Sequence, residues 1–217
     1  MEVTLRSITP DAEEQLVEIA RVSSSREDKT AEPDKLINYL IKHSHWSPFE
    51  HGFISMKIVT SKAIAIQLLR HRSFTFQEFS QRYAKVTDME PIELRGQAEK
   101  NRQSSTDVIG HNKIQDEQGN WSHVTMDVMV SGHLKATDEL YNKLLDAGVA
   151  KECARFILPM TTQTTLYMSG PIRSWIHMVN LRDDSHAQKE AQLIAKEMKR
   201  IFIRELPIVS KALGWEV

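Results

Sequence analysis

Cysteine is nearly absent. Cys153 stands alone among 217 residues, which excludes an intramolecular disulfide framework and a thiolate-rich zinc centre. Net charge is nearly absent too, because 28 Lys+Arg face 29 Asp+Glu and leave −1. That balance argues against a protein that grips long nucleic acid through sheer positive charge, though not against a local cationic pocket. Long hydrophobic runs are missing: Ala63-Ile64-Ala65-Ile66 falls far short of the roughly 20 apolar residues of a membrane span. The opening Met1-Glu2-Val3-Thr4-Leu5-Arg6 lacks the apolar core of a signal peptide. These absences lead us to expect a soluble, cytoplasmic protein of a reducing compartment, with neither membrane nor nucleic acid as partner. What the chain has is 41% hydrophobic residues, enough for one substantial core, or at most two small ones.

Periodicity gives a coarse outline. Thr9-Pro10-Asp11 predicts a helix start with Thr9 as N-cap, followed by Ala12, Leu16, Ile19 and Ala20 at helical spacing. Residues 23–30 are polar and predict a loop. Pro33 opens a second helix with Leu36, Ile37, Leu40 and Ile41 on one stripe. Alternation of Ile54, Met56 and Ile58 predicts a strand over 52–60, with Ser61 capping a short helix through Arg70. Residues 73–83 suit extended chain, and 101–122 are polar and turn-rich, a surface excursion. A helix to about Ala147 presents Leu140, Tyr141, Leu144 and Leu145, with Gly148 as its stop. Pro159 ends a short segment, Thr161–Met168 reads as a strand, and Pro171 begins a helix burying Ile172, Trp175, Ile176 and Val179. Asp183-Asp184-Ser185 is the expected cap of a last long helix, whose stripe is Ala187, Ala191, Ile194, Ala195, Met198, Ile201 and Phe202. The expectation is a single α+β domain over residues 1–217, a sheet covered by helices.

The densest chemical signal is Arg70-His71-Arg72-Ser73-Phe74-Thr75-Phe76-Gln77-Glu78-Phe79-Ser80-Gln81-Arg82-Tyr83. If the row Glu78, Ser80, Arg82 is extended, its side chains leave one face at intervals of roughly 6–7 Å. An acceptor, a hydroxyl and a planar cationic fork then suit a nucleoside monophosphate. Charge spacing alone fits a solvated arginine pair beside a strand equally well.

These residues also resemble a family. Arg70 to Arg72, then Ser80, with Gln67, Glu78 and Arg82-Tyr83 around them, is similar to the signature of the flavin-dependent thymidylate synthases. The likeness continues through His45-Trp46-Ser47-Pro48-Phe49-Glu50-His51, Ala154-Arg155 with Leu158-Pro159, and Asn180-Leu181-Arg182-Asp183-Asp184-Ser185-His186-Ala187-Gln188. It covers most of residues 10–206, excepting 101–122.

The resemblance implies the thymidylate synthase-complementing fold with a mostly antiparallel central sheet, and methylation of dUMP at C5. Methylenetetrahydrofolate would give the carbon, and FAD reduced by NADPH the hydride. It implies that Gln67, Arg70, Glu78, Ser80, Arg82 and the backbone at Phe79 and Gln81 hold dUMP. Arg155 would reach the dUMP phosphate from a neighbouring subunit of a homotetramer with shared sites. Ser47, Arg70, His71, Arg72, Glu78, Arg173 and His177 match FAD-contacting positions. His45 matches a histidine near the flavin ring, and Arg182 the arginine that assists ionisation at uracil N3. The chain departs from the family's pattern at Pro171 and His177, where the family often has Asn, and more mildly at Thr75 and Gln77.

This chemistry needs no cysteine nucleophile, and Cys153 reads as a small buried hydrophobe. A preorganised donor such as Arg182 would stabilise charge developing on the pyrimidine, worth roughly 3–4 kcal/mol; the bland alternative is an Arg182 ion pair with Asp183 or Asp184. Two rivals remain in view. His43, His45 and His51 beside Glu50 suggest a metal-dependent hydrolase, against which i and i+2 diverge on a helix end. A non-catalytic nucleotide- or RNA-binding module could use Arg70-His71-Arg72 with Phe74, Phe76 and Phe79, although alternating phenylalanines are more often core.

Overall fold

The computed structural model describes residues 1–22 and 32–215; the loop expected over 23–30 lies outside them. In chain order the first half carries β1 (Glu2–Ile8), α1 (Ala12–Ala20), α2 (Pro33–Lys42), β2 (Phe53–Ser61), α3 (Lys62–Leu68) and β3 (Thr75–Glu78). Then come β4 (Arg95–Gln97), β5 (Ser105–Val108), β6 (Lys113–Gln115), β7 (Trp121–Thr125), α4 (Met126–Asp146) and α5 (Lys151–Ala154). The last third holds β8 (Gln163–Pro171), α6 (Ile172–Arg182), α7 (Lys189–Glu205) and α8 (Pro207–Ala212). Helices and sheets together make the fold α+β, and no helix among the described residues is long and apolar enough to cross a membrane.

The residues group into two compact units. One comprises Met1, Val59–Leu68 and Glu78–Thr165; the other comprises Glu2–Ile58, Leu69–Gln77 and Leu166–Val217. Most of a four-stranded sheet, in the order β1-β2-β8-β3, belongs to the second unit. Ile54, Met56 and Ile58 of β2 are buried in alternation, as the period of a half-covered strand requires. Leu16, Ile37, Leu40, Trp175, Met198 and Phe202 of the same unit are buried as well. The Trp175 indole donates to the Ile54 carbonyl at 3.1 Å, so its burial leaves no donor unpaired. Buried Glu13 accepts the Val209 backbone N–H at 2.7 Å and thereby serves the first turn of α8.

The first unit has its own core of Val86, Tyr141 and Ala154, packed with Phe79, Leu144, Leu145 and Ile157. Gly148, at φ +85°, ends α4 as its sequence predicts. Its N–H bonds to Leu145 and that of Val149 to Leu144, a left-handed C-terminal cap.

Several expectations are corrected. Thr9 does not cap α1; its Oγ accepts the Phe53 N–H at 2.9 Å instead, because it extends the strand pairing, and Asp11 at φ 47° is the cap residue. Ser61 ends β2 and does not cap α3, whose first N–H groups are taken by the Thr162 and Met160 carbonyls. α3 stops at Leu68, short of Arg70. The last long helix starts after Gln188, since Asp184 spends its carboxylate on His186 and Asp183 on Lys199. Ala187 accordingly lies outside that helix and is only half-buried. The excursion over 101–122 is exposed but ordered into antiparallel pairs, β4 with β5 and β6 with β7. Asp116 closes the second hairpin by accepting the N–H groups of Gln118 and Asn120. On α4, Leu140 is 49% exposed, and Tyr141 is the helix's buried residue.

Candidate functional site

The signature segment does not stay extended. β3 ends at Glu78, where the Phe79 N–H reaches the Thr165 carbonyl at 2.9 Å, and the Ser80 carbonyl then accepts both Tyr83 and Ala84 N–H groups. Residues 80–84 therefore turn, and Glu78, Ser80 and Arg82 are not one strand face. A carbonyl that takes two N–H groups folds the chain back, and side-chain alternation alone does not reveal it.

In the first unit, Glu78 is only partly exposed, and its Oε1 accepts from Lys62 Nζ at 2.7 Å and Thr164 Oγ at 3.0 Å. Two donors on one oxygen fix the orientation of the carboxylate. Lys62 and Thr164 had no role in the sequence reading, and no signal points to Lys62 except its place at the start of α3. Arg82 pairs with Glu152 at 3.2 Å, both well exposed, an interaction worth at most about 1 kcal/mol and readily exchanged for a phosphate. Arg155 opens a short 3-10 turn with its guanidinium over the exposed Phe156 ring, 5.7 Å from its centroid. Gln67 lies on α3, half-buried, and the Gln81 amide nitrogen is buried with no partner. Cys153 is exposed, contrary to expectation: on a single turn of helix, Ala154 takes the inward position.

The second unit gathers a cationic cluster. Arg182, last residue of α6, donates from Nε to His71 Nε2 at 3.1 Å. The acceptor must lack a proton, so this imidazole is neutral. Burial first, then the charges of Arg182 and His177, push His71 down to about 4. Arg182 is itself driven below the usual arginine range by burial and by Arg70. Its acidic sequence neighbours each have a partner of their own, Asp183 in Lys199 and Asp184 in His186. Arg70 and Arg72 are exposed.

Beside these residues a cleft of about 470 Å³ is lined by Trp46, Glu50, Ser73, Pro171, Arg173, His177 and Asn180 among others. That volume lies within the range of small-molecule sites. Its donors (a guanidinium, an imidazole, an amide and a hydroxyl) suit phosphate and ribose oxygens, and Trp46 offers an aromatic wall. Arg173 is ion-paired with Glu50, so an incoming phosphate must share or displace that carboxylate. Pro171 contributes no side-chain donor here. Trp46, Glu50 and Asn180 sit inside the motifs quoted above, which is the signal that could have marked them.

His45 follows the end of α2, and Ser47 opens a 3-10 turn over Ser47–Glu50. Ser44 adopts φ 57°, and the N–H groups of Ser44 and His45 cap the helix on Ile41 and Leu40. The exposed His45 ring then packs edge-on to Tyr39 at 5.8 Å and near His43 at 6.1 Å. Among the described residues no three His, Cys, Asp or Glu side chains converge as a metal site requires.

A half-buried arginine held by a neutral histidine, next to a donor-lined cleft, can receive an anionic ligand on this α+β frame. The comparisons specify the class. The family model for "Thymidylate synthase complementing protein" matches residues 4–208, and the chain belongs to that family. It is 47% identical over 208 residues to a "Probable flavin-dependent thymidylate synthase" of Paramecium bursaria Chlorella virus 1, covering 94% of this chain and 91% of that protein. It is 42% identical over 196 residues to a "Flavin-dependent thymidylate synthase" of Synechocystis, covering 90% and 86%. A third relative of that name, from Thermosipho africanus, is 36% identical over 194 residues, covering 88% and 81%.

Proposed function

We propose that this chain is a flavin-dependent thymidylate synthase. It converts dUMP to dTMP with methylenetetrahydrofolate as carbon donor and NADPH as reductant, in the cytoplasm, as one functional domain whose homotetramer shares its sites between subunits. The observation that carries this reading is the Arg182–His71 pair, 3.1 Å apart, beside Arg70. A guanidinium with lowered affinity for its own charge environment gains most when an anion arrives.

The residues of the cleft fit FAD. Arg173, His177, Ser73 and Asn180 supply donors for its phosphates and hydroxyls, and Trp46 an apolar wall; Ser47, Arg70, His71, Arg72 and Glu78 join them on the family's pattern. When bound and reduced by NADPH, the flavin supplies the hydride. The chain's own residues do the rest. Arg82 and Arg155, the latter from a neighbouring subunit, neutralise the dUMP phosphate. Gln67, Arg70, Ser80 and the backbone at Phe79 and Gln81 orient the sugar and base. Glu78, fixed by Lys62 and Thr164, accepts hydrogen bonds from the ligands. His45, presented by the strained Ser44 turn, orients the folate.

Arg182 donates to the uracil carbonyl oxygens beside N3 and, once N3 has lost its proton, to N3 itself. Negative charge on that edge is stabilised, electron density rises at C5, and C5 becomes nucleophilic with no covalent bond to the enzyme. Cys153 takes no part. The test is tritium release from C5-labelled dUMP by the purified protein with FAD, NADPH and methylenetetrahydrofolate. Release dependent on all three supports the reading; a colourless protein that releases none overturns it.

A further inference from the structure

We propose that His71 is a positioning residue for Arg182: its imidazole accepts the Arg182 Nε–H through Nε2 and so sets the plane of the guanidinium without cancelling its charge. The inference rests on the function proposed above. The two residues are 111 positions apart in sequence and meet at 3.1 Å. Guanidinium is planar, so anchoring Nε removes the rotation that would swing its terminal N–H groups away from a fixed base edge.

The histidine is itself anchored. Its carbonyl accepts the Phe74 N–H at 3.2 Å, and its ring stands edge-on to Phe74, 6.4 Å between centroids at 90°. Phe74 is buried and packs edge-on against Trp175 at 4.8 Å. The core therefore reaches the arginine through two aromatic rings and one imidazole.

The choice of acceptor has a chemical reason. A carboxylate at this position would hold Arg182 more strongly, but it would neutralise the charge that the pyrimidine is to feel. A neutral imidazole gives direction and adds no opposing charge of its own. The surroundings keep it neutral: the groups acting on it are Arg182 and His177 of α6, with Arg70 acting on Arg182, and each is cationic or neutral. With Nε2 accepting, the proton resides on Nδ1, where it can donate to a ligand oxygen.

The experiment compares His71→Phe, His71→Gln and His71→Glu in the flavin-loaded enzyme. Rates of C5 tritium release are normalised to bound flavin, and dUMP affinity is measured separately. Phe removes the acceptor, and we expect kcat to fall about a hundredfold, the scale of a misplaced catalytic group, with a much smaller change in dUMP KM. Gln restores a neutral acceptor and should recover most of that loss. Glu restores the acceptor but cancels the charge and should remain as slow as Phe. If His71→Phe fails to fold, the contrast between Gln and Glu carries the test. Equal rates for Gln and Glu, or a wild-type rate for Phe, overturn the proposal.

The second readout needs no turnover. Nitrogen-15 NMR of histidine-labelled protein should show His71 Nε2 unprotonated and Nδ1 protonated at pH 6. A protonated Nε2 overturns the inference. Wild-type protein that releases no tritium would instead remove the proposed function, and the NMR result would still decide whether His71 holds Arg182.

Discussion

Gly170 lies on β8 where the Phe74 ring crosses it. A Cβ built there would stand 2.6 Å from Phe74 Cδ1, 3.0 Å from Cε1 and 3.3 Å from Cγ. Those carbons belong to a rigid ring that is 8% exposed and held edge-on by Trp175 at 4.8 Å, so the ring must shift as a body. Overpacking of this kind costs about 1–3 kcal/mol, which for a chain of this length lowers Tm by roughly 2–12 °C. Circular dichroism melts of wild type and Gly170→Ala measure the loss. The melts are repeated in a Phe74→Leu background, where the clashing ring carbons are gone. There the same substitution should cost less by at least about 1 kcal/mol, a coupling expected of residues in contact. Equal costs in the two backgrounds would refute the steric argument. Because Phe74 also abuts His71, Gly170→Ala should slow tritium release as well, and Phe74→Leu should not add to that deficit.

Three further outcomes follow from particular residues. Ser44 holds φ 57°, a left-handed conformation that costs a non-glycine residue about 1 kcal/mol, so Ser44→Gly should raise Tm by roughly 2–4 °C; a melt at or below the wild-type temperature contradicts the strain. Glu13 is buried and its carboxyl is pushed up by that burial, so Glu13→Gln, which keeps an acceptor for Val209, should match or exceed wild type in urea, whereas Glu13→Ala should lose about 1–3 kcal/mol. His71, lowered from 6.5 to about 4, takes up its proton in the unfolded chain before the folded one. Its contribution to stability is thus full above pH 6.5 and is lost as pH falls towards 4. Urea midpoints between pH 7 and 4 should fall more steeply for wild type than for His71→Asn, and parallel curves contradict this.

Much of the architecture was legible because periodic burial leaves a record in sequence. The β2 alternation, the α7 stripe from Ala191 to Phe202 and the Gly148 stop all follow from side-chain period or backbone freedom. What was not legible turned on competition for hydrogen bonds. Thr9, Ser61 and Asp184 are all good caps by type, yet each helix found its partners elsewhere, from a carbonyl or a cap set by tertiary contact. Cys153 shows a similar limit: a lone cysteine on a one-turn helix has no period to reveal its face.

For the site, the motif strings named Arg70, His71 and Arg182, but their linkage did not follow from spacing, since 111 residues separate the pair. Lys62 carries no such signal in the sequence either, because its partner Glu78 lies beyond a helix and a turn.

The central claim is that charge on Arg182, and no thiol, makes the pyrimidine reactive. The direct measurement is C5 tritium release from dUMP by Cys153→Ser and Arg182→Ala, each loaded with FAD and supplied with NADPH and methylenetetrahydrofolate. Cys153→Ser should release tritium at the wild-type rate, and Arg182→Ala should be slower by about 10²–10³. A silent Cys153→Ser, or an Arg182→Ala that turns over like wild type, would contradict the account.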